Sequence, residues 1–245
     1  MKKEKTVIVM PAYNASRTLK DTFREIPKNF RENIILVDDR STDNTINIAK
    51  KLGIKVFTHA TNLGYGGNQK TCYSQALKLD PEIIVMLHPD YQYDGSLIGE
   101  LVRPIKVGRF DFMFGSRIQD RYSALLGGMP ALKYYVNRIV CLFENVFLGV
   151  NFTEHFSGFR AYSKKVLKTV PFQRFSDDYV FDQQMVISAL SFGFKIGEIP
   201  IPTRYHGKAS SIQFFKGVKF ILDTLWNIFI YRLHKMGLIK SKLFS

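Results

Sequence analysis

Acidic side chains stand directly after an apolar segment, where they could bind a ligand. The segment that ends at Val37 is followed by Asp38 and Asp39. Two adjacent carboxylates repel each other, so a turn with only a structural role does not need them. We expect Asp39 to accept hydrogen bonds from a base or a ribose, as acidic residues at the ends of parallel strands do. Asp43 has a simpler role, because its side chain can cap a helix that begins near Thr45.

A second polar loop follows the apolar segment 83–87 and contains His88, Asp90 and Gln92. A carboxylate and an amide oxygen two residues apart can converge on one hard cation, such as Mg²⁺ or Mn²⁺ bound to a diphosphate. A turn that contains proline, in which Asp90 and Asp94 bond only to the backbone, explains the same residues. By position alone both interpretations stay open.

The polar loops lie between short β-branched runs and helical patterns that alternate along the first half of the chain. Five buried strands are predicted, over Thr6–Met10, Asn33–Val37, Lys55–His59, Ile83–Leu87 and Phe110–Phe114. Three helices are predicted between them, over Arg17–Ile26, Thr45–Leu52 and Gly67–Leu79. This alternation predicts an α/β fold with an open, mostly parallel sheet and helices on both faces. Ligands of such sheets bind at the carboxyl ends of the strands, where the polar loops should meet.

The second half of the chain has a different pattern, without a linker rich in serine, glycine or proline. Helices are predicted over Leu132–Leu148, Lys164–Thr169, Tyr179–Phe192 and about Phe214–Met236, and strands over Phe159–Tyr162 and Ile196–Pro200. We therefore predict one domain over residues 1–212 and a helical extension over residues 213–245.

The net charge of the chain indicates which kinds of molecule it could bind. The chain has 245 residues, of which 46% are hydrophobic, and 35 Lys and Arg against 21 Asp and Glu give a net charge of +14. This charge favours anionic partners such as phosphorylated substrates, a phospholipid surface or nucleic acid. Nucleic acid is not expected, because no aromatic RNA motif or helix-turn-helix pattern is present. Cys72 and Cys141 lack metal-ligand spacing and are predicted to be free thiols in a reducing compartment.

The localisation predicted from the sequence is cytoplasmic. The sequence begins Met-Lys-Lys-Glu-Lys and runs directly into the first predicted strand, without the apolar region of a signal peptide. No segment offers the 18 or so uninterrupted apolar residues that a membrane-spanning helix needs.

Six motifs in register resemble glycosyltransferase family 2, and in particular the branch of dolichyl- or polyprenyl-phosphate sugar synthases. The resemblance runs from about residue 5 to residue 212. The motifs are Pro11-Ala12-Tyr13-Asn14, Val37-Asp38-Asp39-Arg40-Ser41-Thr42-Asp43-Asn44-Thr45, Asn62-Leu63-Gly64, His88-Pro89-Asp90-Tyr91-Gln92, Gly115-Ser116-Arg117 and Ser157-Gly158-Phe159-Arg160-Ala161-Tyr162.

The resemblance implies a GT-A fold, which is a Rossmann-like sheet, and an enzyme that transfers a sugar from a nucleotide-diphosphate sugar with inversion. It also implies that Mg²⁺ or Mn²⁺ binds the diphosphate and that a lipid phosphate accepts the sugar. The implied roles are as follows: Pro11 and Tyr13 line the base and ribose, Asp39 contacts the base, Asp90 and Gln92 hold the metal, Arg117 contacts the sugar-phosphates or the acceptor phosphate, and Arg204 belongs to a basic loop that closes over the diphosphate.

Three positions depart from the pattern of the family. His88 stands where the first acid of an Asp-x-Asp motif is usual, and a neutral histidine can still bond to ribose or ligate Mn²⁺. Gln184 stands where related synthases often have a glutamate. Ser210 stands where a lysine is common, and Lys208 is a possible substitute.

The acceptor decides whether the enzyme needs a general base. A lipid phosphate is already ionised, so catalysis rests on positioning and charge, with the metal, Arg204 and Arg117 in that role. A sugar hydroxyl requires a carboxylate base, for which Asp182 and Glu154 are candidates. Asp178 is a further candidate, although a capping role also explains it. A degenerate family member that binds nucleotide sugar without turnover is a third hypothesis, suggested by His88.

The last predicted helix is amphipathic, with basic flanks. Its apolar face holds Val218, Leu222, Trp226 and Phe229, and its polar face includes Asn227. This pattern is typical of an anchor at the surface of an anionic membrane. Packing on the domain or in a homo-oligomer explains it too, and the helix predicted over 132–148 poses the same choice. We expect a peripheral protein at the inner face of a membrane.

Overall fold

The computed structural model describes residues 5–202, 204 and 214–245. The strands are Thr6–Ala12 (β1), Ile34–Asp38 (β2), Lys55–Thr58 (β3), Ile83–Met86 (β4), Phe112–Ser116 (β5), Arg160–Ser163 (β6) and Ile196–Pro200 (β7). The α-helices are Leu19–Glu25 (α1), Thr45–Lys51 (α2), Gly64–Leu77 (α3), Ile98–Lys106 (α4), Arg121–Leu126 (α5), Ala131–Leu148 (α6), Lys164–Thr169 (α7), Phe181–Ser191 (α8) and Phe214–Lys235 (α9). Short 3-10 helices cover Lys28–Phe30, Gly95–Leu97 and Phe172–Arg174.

The strands form a single mixed sheet in the order β3-β2-β1-β4-β6-β5-β7. All neighbouring pairs are parallel except those of β6, which runs antiparallel to β4 and β5. Arg160, the first residue of β6, is paired with Met86 on one side and with Phe114 on the other. Because β6 is reversed, Arg160 lies at the edge where the parallel strands end.

Helices cover both faces of the sheet, because side chains alternate between its faces. On one face Val9 and Ile84 lie in a buried cluster with residues of α3, α7 and α8. On the other face Met10 and Val85 lie in a cluster with residues of α1, α2 and α4. The predicted α/β class, with a mostly parallel sheet covered on both faces, is confirmed.

The predicted elements form with their ends displaced by a few residues, and two helices were missed. The first, α4, buries Ile98, Leu101, Val102 and Ile105, and this helical spacing was a signal in the sequence although Pro104 interrupts it. The second missed helix, α5, is a short segment of six residues. The reversed direction of β6 could not be predicted from its residues, because a strand of four residues carries no sign of its partner.

Helices α6 and α9 expose many apolar side chains to solvent and bury some polar ones. The side of α6 that faces the protein contains the fully buried Glu144, whereas apolar side chains on its other side face solvent. The packed side of α9 contains Thr224 and Asn227, both buried. The exposed apolar side chains of the two helices are Leu132, Tyr135, Val136, Ile139, Leu142, Phe143, Val146 and Phe147 on α6, and Val218, Leu222, Trp226 and Phe229 on α9.

The last segment of the chain packs on the domain. Ile228, Tyr231 and Phe244 form a buried cluster with Leu148 of α6 and Ile187 of α8. Asn227, a residue of the predicted polar face of α9, is buried and accepts a hydrogen bond from Gln184 at 3.0 Å. The boundary between domain and extension at residues 212 and 213 stays a prediction. Among the described residues no helix has the length and apolarity to cross a bilayer.

A glycine in the first turn of α3 permits a close approach that we expect to be essential for stability. A Cβ atom on Gly66 would lie 2.3 Å from the backbone oxygen of Ser176. Gly66→Ala should therefore lower the free energy of unfolding by about 1–3 kcal/mol, the usual cost of overpacking. Urea denaturation measures this change.

Gly99→Ala is the matched control, because Gly99 is an exposed residue of α4 with its nearest neighbouring atom 4.0 Å from the added Cβ. This variant should gain roughly 0.5–1 kcal/mol, since alanine is the better helix former. Equal effects of the two substitutions would show that the contact between α3 and Ser176 does not limit stability.

Candidate functional site

The loops that follow β1, β2 and β4 surround an open cavity of about 1560 Å³ at the carboxyl edge of the sheet. The start of α3 and the segment 176–179 complete its wall. The predicted residues that line it are Pro11, Tyr13, Asp39, His88, Asp90 and Gln92. The structure therefore brings these six residues together, and a cavity of this size accommodates a ligand as large as a nucleotide sugar.

Asp39 is a buried carboxylate that receives several hydrogen bonds. Its Oδ1 accepts from the backbone N–H of Leu63 at 2.8 Å and contacts Nδ1 of His59 at 2.8 Å. Its Oδ2 accepts from the backbone N–H of Gly64 at 3.0 Å. The backbone of the Asn62-Leu63-Gly64 motif thus binds the carboxylate of Asp39 and fixes its orientation. A carboxylate oxygen accepts two hydrogen bonds, so Oδ2 keeps capacity for a ligand.

His59 and Asn68 are site residues that sequence reasoning missed. His59 joins Asp39 to Oγ1 of Thr71, which lies 2.9 Å from its Nε2. Asn68 lines the cavity, and its Nδ2 donates to the backbone oxygen of Val37 at 3.1 Å. His59 comes directly after β3, so its position at a strand end was the available signal.

Each of the three loops contains a residue with a left-handed backbone. The φ angles are 52° at Asn14, 65° at Arg40 and 62° at Tyr91. This conformation is inexpensive for asparagine but costs about 1 kcal/mol or more for arginine and tyrosine. Such strain is concentrated at binding sites, where the surrounding structure holds the loop in shape.

The imidazole of His88 lies between the side chain of Tyr65 and the backbone of Gly158. Its Nε2 lies 3.2 Å from the hydroxyl of Tyr65, and the two rings are stacked with an interplanar angle of 4°. Gly158 leaves the necessary space, because a Cβ there would lie 2.7 Å from Nε2 of His88. Burial lowers the pKa of His88 although Asp90 and Asp182 raise it, so the imidazole is neutral near pH 7.

Asp90 and Gln92 fit the divalent cation that the family resemblance implies. One oxygen of Asp90 accepts from the backbone N–H of Gln92 at 3.1 Å, and both side chains line the cavity. A carboxylate and an amide are oxygen donors of the kind that Mg²⁺ and Mn²⁺ prefer. The described residues contain no group of three His, Cys, Asp or Glu that could hold a metal by themselves. A cation here would need further ligands beyond Asp90 and Gln92, such as a diphosphate and water.

Arg117 is buried and is not among the cavity-lining residues. Its guanidinium and its backbone N–H both bind Glu154, with Nε donating to Oε1 at 2.9 Å. Glu154 is fully buried. The two predicted residues therefore form an ion pair behind the site.

Asp182 also lies behind the cavity wall. Its Oδ2 accepts from the hydroxyl of Tyr65 at 2.6 Å and its Oδ1 accepts from Nε2 of Gln69 at 3.1 Å. Nε of Arg160 lies 3.8 Å from the same carboxylate. Of the three candidates for a general base, Asp178 lines the cavity, whereas Asp182 and Glu154 do not.

The predicted Arg204 does not line the cavity, whereas Arg17, which sequence reasoning missed, does. Arg204 binds Glu25 at 2.5 Å and Asp94 at 3.0 Å. Lys208 and Ser210 lie outside the described residues. Arg17, at the end of the loop after β1, is the basic side chain that lines the cavity within the described part of the chain.

Gln184, the second departure from the family pattern, connects α8 to two other segments. It accepts the backbone N–H of Ser176 at 2.7 Å, and it donates to Asn227 of α9 at 3.0 Å. It thus ties the 176–179 wall of the cavity to the last helix.

A match to a known family agrees with the geometry of the site. The model of the family described as glycosyl transferase family 2 matches residues 7–170. The chain belongs to glycosyl transferase family 2. The resemblance carried by the six motifs is therefore confirmed, and the chain is a glycosyltransferase.

Two relatives cover most of this family 2 chain. It is 32% identical over 203 residues to an uncharacterized protein of Methanocaldococcus jannaschii, with 83% of each chain covered. It is 29% identical over 215 residues to the UDP-N-acetylglucosamine–dolichyl-phosphate N-acetylglucosaminyltransferase of Methanococcus voltae, with 81% of this chain and 85% of the relative covered.

The fold of this family 2 member is also that of solved glycosyltransferases. Glucosyl-3-phosphoglycerate synthase from Mycobacterium tuberculosis, solved with Mn²⁺, UDP and its product, superposes with a TM-score of 0.69 at 17% identity. The match covers 93% of this chain and 80% of that one. The same enzyme has been solved with Mg²⁺ and UDP. The predicted GT-A fold is confirmed.

Asp43 joins two walls of the cavity and should make stability depend on pH. Its carboxylate accepts the backbone N–H groups of Ser16 and Thr45, each at 3.0 Å. Burial raises the pKa of Asp43, but the hydrogen bonds from Ser16 and Thr45 together lower it from 3.8 to about 2. The stabilisation is thus complete above the unfolded pKa and is lost as the pH falls toward 2.

Asp43→Ala should lower the free energy of unfolding by about 1 kcal/mol at pH 7, the usual value for a lost cap. Denaturant titrations from pH 7 to pH 2 should show this difference shrinking below about pH 4. Asp43→Asn, which does not titrate, is the control. A difference between Asp43→Ala and the parent protein that is the same at pH 7 and pH 2 would contradict this role.

Proposed function

We propose that this glycosyltransferase moves a sugar from a UDP- or GDP-sugar to a polyprenyl or dolichyl phosphate at the surface of an anionic membrane. The observation that carries the proposal is the set of exposed apolar side chains on α6 and α9. Exposed apolar side chains such as Leu142 and Trp226, on helices that also bury Glu144 and Asn227, mark a surface that binds a membrane or another protein. The relative from Methanococcus voltae, named as a transferase to dolichyl phosphate, supports the acceptor.

Charge supports the choice of a membrane rather than a protein partner. The segment 216–245 contains six Lys and Arg against one acid. Arg232 and Lys235 at the end of α9, and Lys240 and Lys242 beyond it, are exposed. Each basic residue near an anionic bilayer contributes about 1 kcal/mol to binding. The apolar side chains and the cations therefore suit the same surface.

The cavity is proposed to hold the donor. Tyr13, which is 57% exposed at the cavity, offers its ring to the base, and Pro11 lies beside it. Oδ2 of Asp39 accepts a hydrogen bond from the base or ribose. Asp90 and Gln92 would hold Mg²⁺ or Mn²⁺, and the cation would neutralise charge on the departing diphosphate.

The reaction proposed is a direct displacement. An oxygen of the acceptor phosphate forms a bond to the anomeric carbon as the bond to the diphosphate oxygen breaks, which inverts the configuration. A phosphate acceptor needs no base, and of the three base candidates Asp182 and Glu154 do not line the cavity, whereas Asp178 does. Arg117 would orient the acceptor phosphate, and Arg204 with Lys208 would bind the diphosphate. Arg117 and Arg204 would have to exchange their present carboxylate partners for phosphate.

A panel of radiolabelled UDP- and GDP-sugars, with Mn²⁺ or Mg²⁺ and polyprenyl phosphate, tests the function. Label should enter the organic phase with one donor. Asp90→Ala should reduce the rate about 100-fold or more, because an electrostatic contribution to the leaving group is lost. Asp21→Ala, which removes an exposed carboxylate bound to Arg24, is the control and should not change the rate.

Label transferred to a soluble saccharide but never to polyprenyl phosphate would overturn the proposed acceptor and favour the hydroxyl alternative. Donor binding without turnover on any acceptor would favour the hypothesis of a degenerate member.

The membrane surface is tested with vesicles that contain anionic phospholipid. Trp226→Ser and Leu142→Ser should each weaken sedimentation with vesicles about tenfold, since each removes a large apolar group worth more than 1.4 kcal/mol when buried. Val107→Ser is the matched control, because Val107 is 60% exposed and lies at the end of α4. Melting temperatures should stay unchanged in all three variants.

Light scattering on the same variants distinguishes a membrane-binding surface from an interface between two copies of the chain. A homo-oligomer that dissociates on Trp226→Ser, with unchanged vesicle binding, would show that α9 forms an interface between copies and would contradict the proposed membrane surface.

A further inference from the structure

The carboxylate of Asp182 accepts a hydrogen bond from the hydroxyl of Tyr65. The other neighbours of its carboxylate are donors, namely Nε2 of Gln69 at 3.1 Å and the guanidinium of Arg160 at 3.8 Å. The distance of 2.6 Å between the hydroxyl of Tyr65 and Oδ2 is that of a charge-assisted hydrogen bond. A phenol has one proton, so the oxygen of Tyr65 can only accept from its other neighbour.

That other neighbour is Nε2 of His88, at 3.2 Å. Because the Tyr65 oxygen accepts there, Nε2 must carry the proton of the imidazole, and Nδ1 must carry the lone pair. The stacked Tyr65 ring and the backbone of Gly158 lie against the imidazole on the side of Nε2. Among the described residues no hydrogen-bond partner lies at Nδ1.

We propose that Nδ1 of His88 joins Asp90 and Gln92 as a ligand of the divalent cation of the donor diphosphate, with Tyr65 and Asp182 as positioning residues that fix the histidine tautomer. This inference rests on the proposed function. Imidazole nitrogen suits transition-metal ions better than it suits Mg²⁺, so a nitrogen ligand favours Mn²⁺ over Mg²⁺. The site therefore prefers Mn²⁺ to Mg²⁺.

The surroundings of residue 88 also explain why a histidine replaces the acid. A carboxylate at this position would face the Tyr65 hydroxyl together with Asp182, so two carboxylates would compete for one phenolic proton in a partly buried place. Histidine donates to Tyr65 instead of competing with Asp182. Its Nδ1 then provides a metal ligand without adding a second negative charge beside Asp182.

Electron spin echo envelope modulation of bound Mn²⁺ tests the inference without turnover. The full-length protein with UDP and Mn²⁺ should show ¹⁴N modulation from a directly bound nitrogen, and ¹⁵N-histidine labelling should change it. His88→Asp should remove the modulation while Mn²⁺ stays bound, and should reduce the preference for Mn²⁺ over Mg²⁺ in competition titrations by roughly tenfold or more.

Tyr65→Phe keeps the stacked ring and removes the hydrogen bond that fixes the tautomer. It should weaken Mn²⁺ binding roughly 10-fold or more, the usual effect of losing a residue that orients a ligand. Tyr231→Phe in α9 is the control for loss of a hydroxyl and should leave Mn²⁺ binding unchanged. Circular dichroism confirms that each variant is folded.

Bound Mn²⁺ without nitrogen modulation in the parent protein, or no Mn²⁺ bound with UDP, would overturn the inference. Nitrogen modulation without transfer to polyprenyl phosphate would confirm the ligand set and contradict the proposed acceptor instead. The two failures are thus distinguishable.

Discussion

The buried guanidinium of Arg160 is the interaction on which the geometry of the site depends. It is 1% exposed, and it donates to the backbone oxygens of Ser157 at 2.7 Å, Asp182 at 2.7 Å and His155 at 3.0 Å. A charge out of water is costly unless its donors are satisfied, so these three carbonyls are held in place. The reversed strand β6 places this cation at the carboxyl edge of the sheet. From there it fixes the loop that contains Gly158 and the start of α8, and through Asp182 it holds Tyr65 and His88.

The same packing determines what the outer helices can contact. Glu144 of α6 accepts from Gln183, the neighbour of Asp182, and burial raises the pKa of Glu144 well above its usual value. Polar contacts thus hold α6 against the domain, and Gln184 does the same for α9. Both helices also bury apolar side chains, such as Leu148 and Ile228, but a second set of apolar side chains faces away from the domain. In the proposed function this surface meets lipid while the strand-end loops hold the donor.

Much of the fold was predictable because it follows from local patterns. The β-branched runs predicted the strands, and the polar loops that follow β2 and β4 predicted the cavity residues Asp39, His88 and Asp90, whereas Pro11 and Tyr13 were implied by the family resemblance. Partners distant in sequence were not predictable. Nothing near Arg117 indicates that Glu154 binds it, and nothing near Asp182 indicates that Tyr65 covers it. Arg17 and His59 were missed because a single basic or histidine side chain in a loop has no pattern of its own.

The central claim is that one chain carries a nucleotide site at the strand ends and a separate lipid surface on α6 and α9. Hydrogen–deuterium exchange of the full-length protein, with UDP and Mn²⁺ or with anionic vesicles, tests it directly. UDP with Mn²⁺ should protect residues 11–18, 39–45 and 88–92, whereas vesicles should protect residues 131–148 and 217–238. Vesicles that leave both helices unprotected, or UDP that protects none of the three loops, would contradict the account.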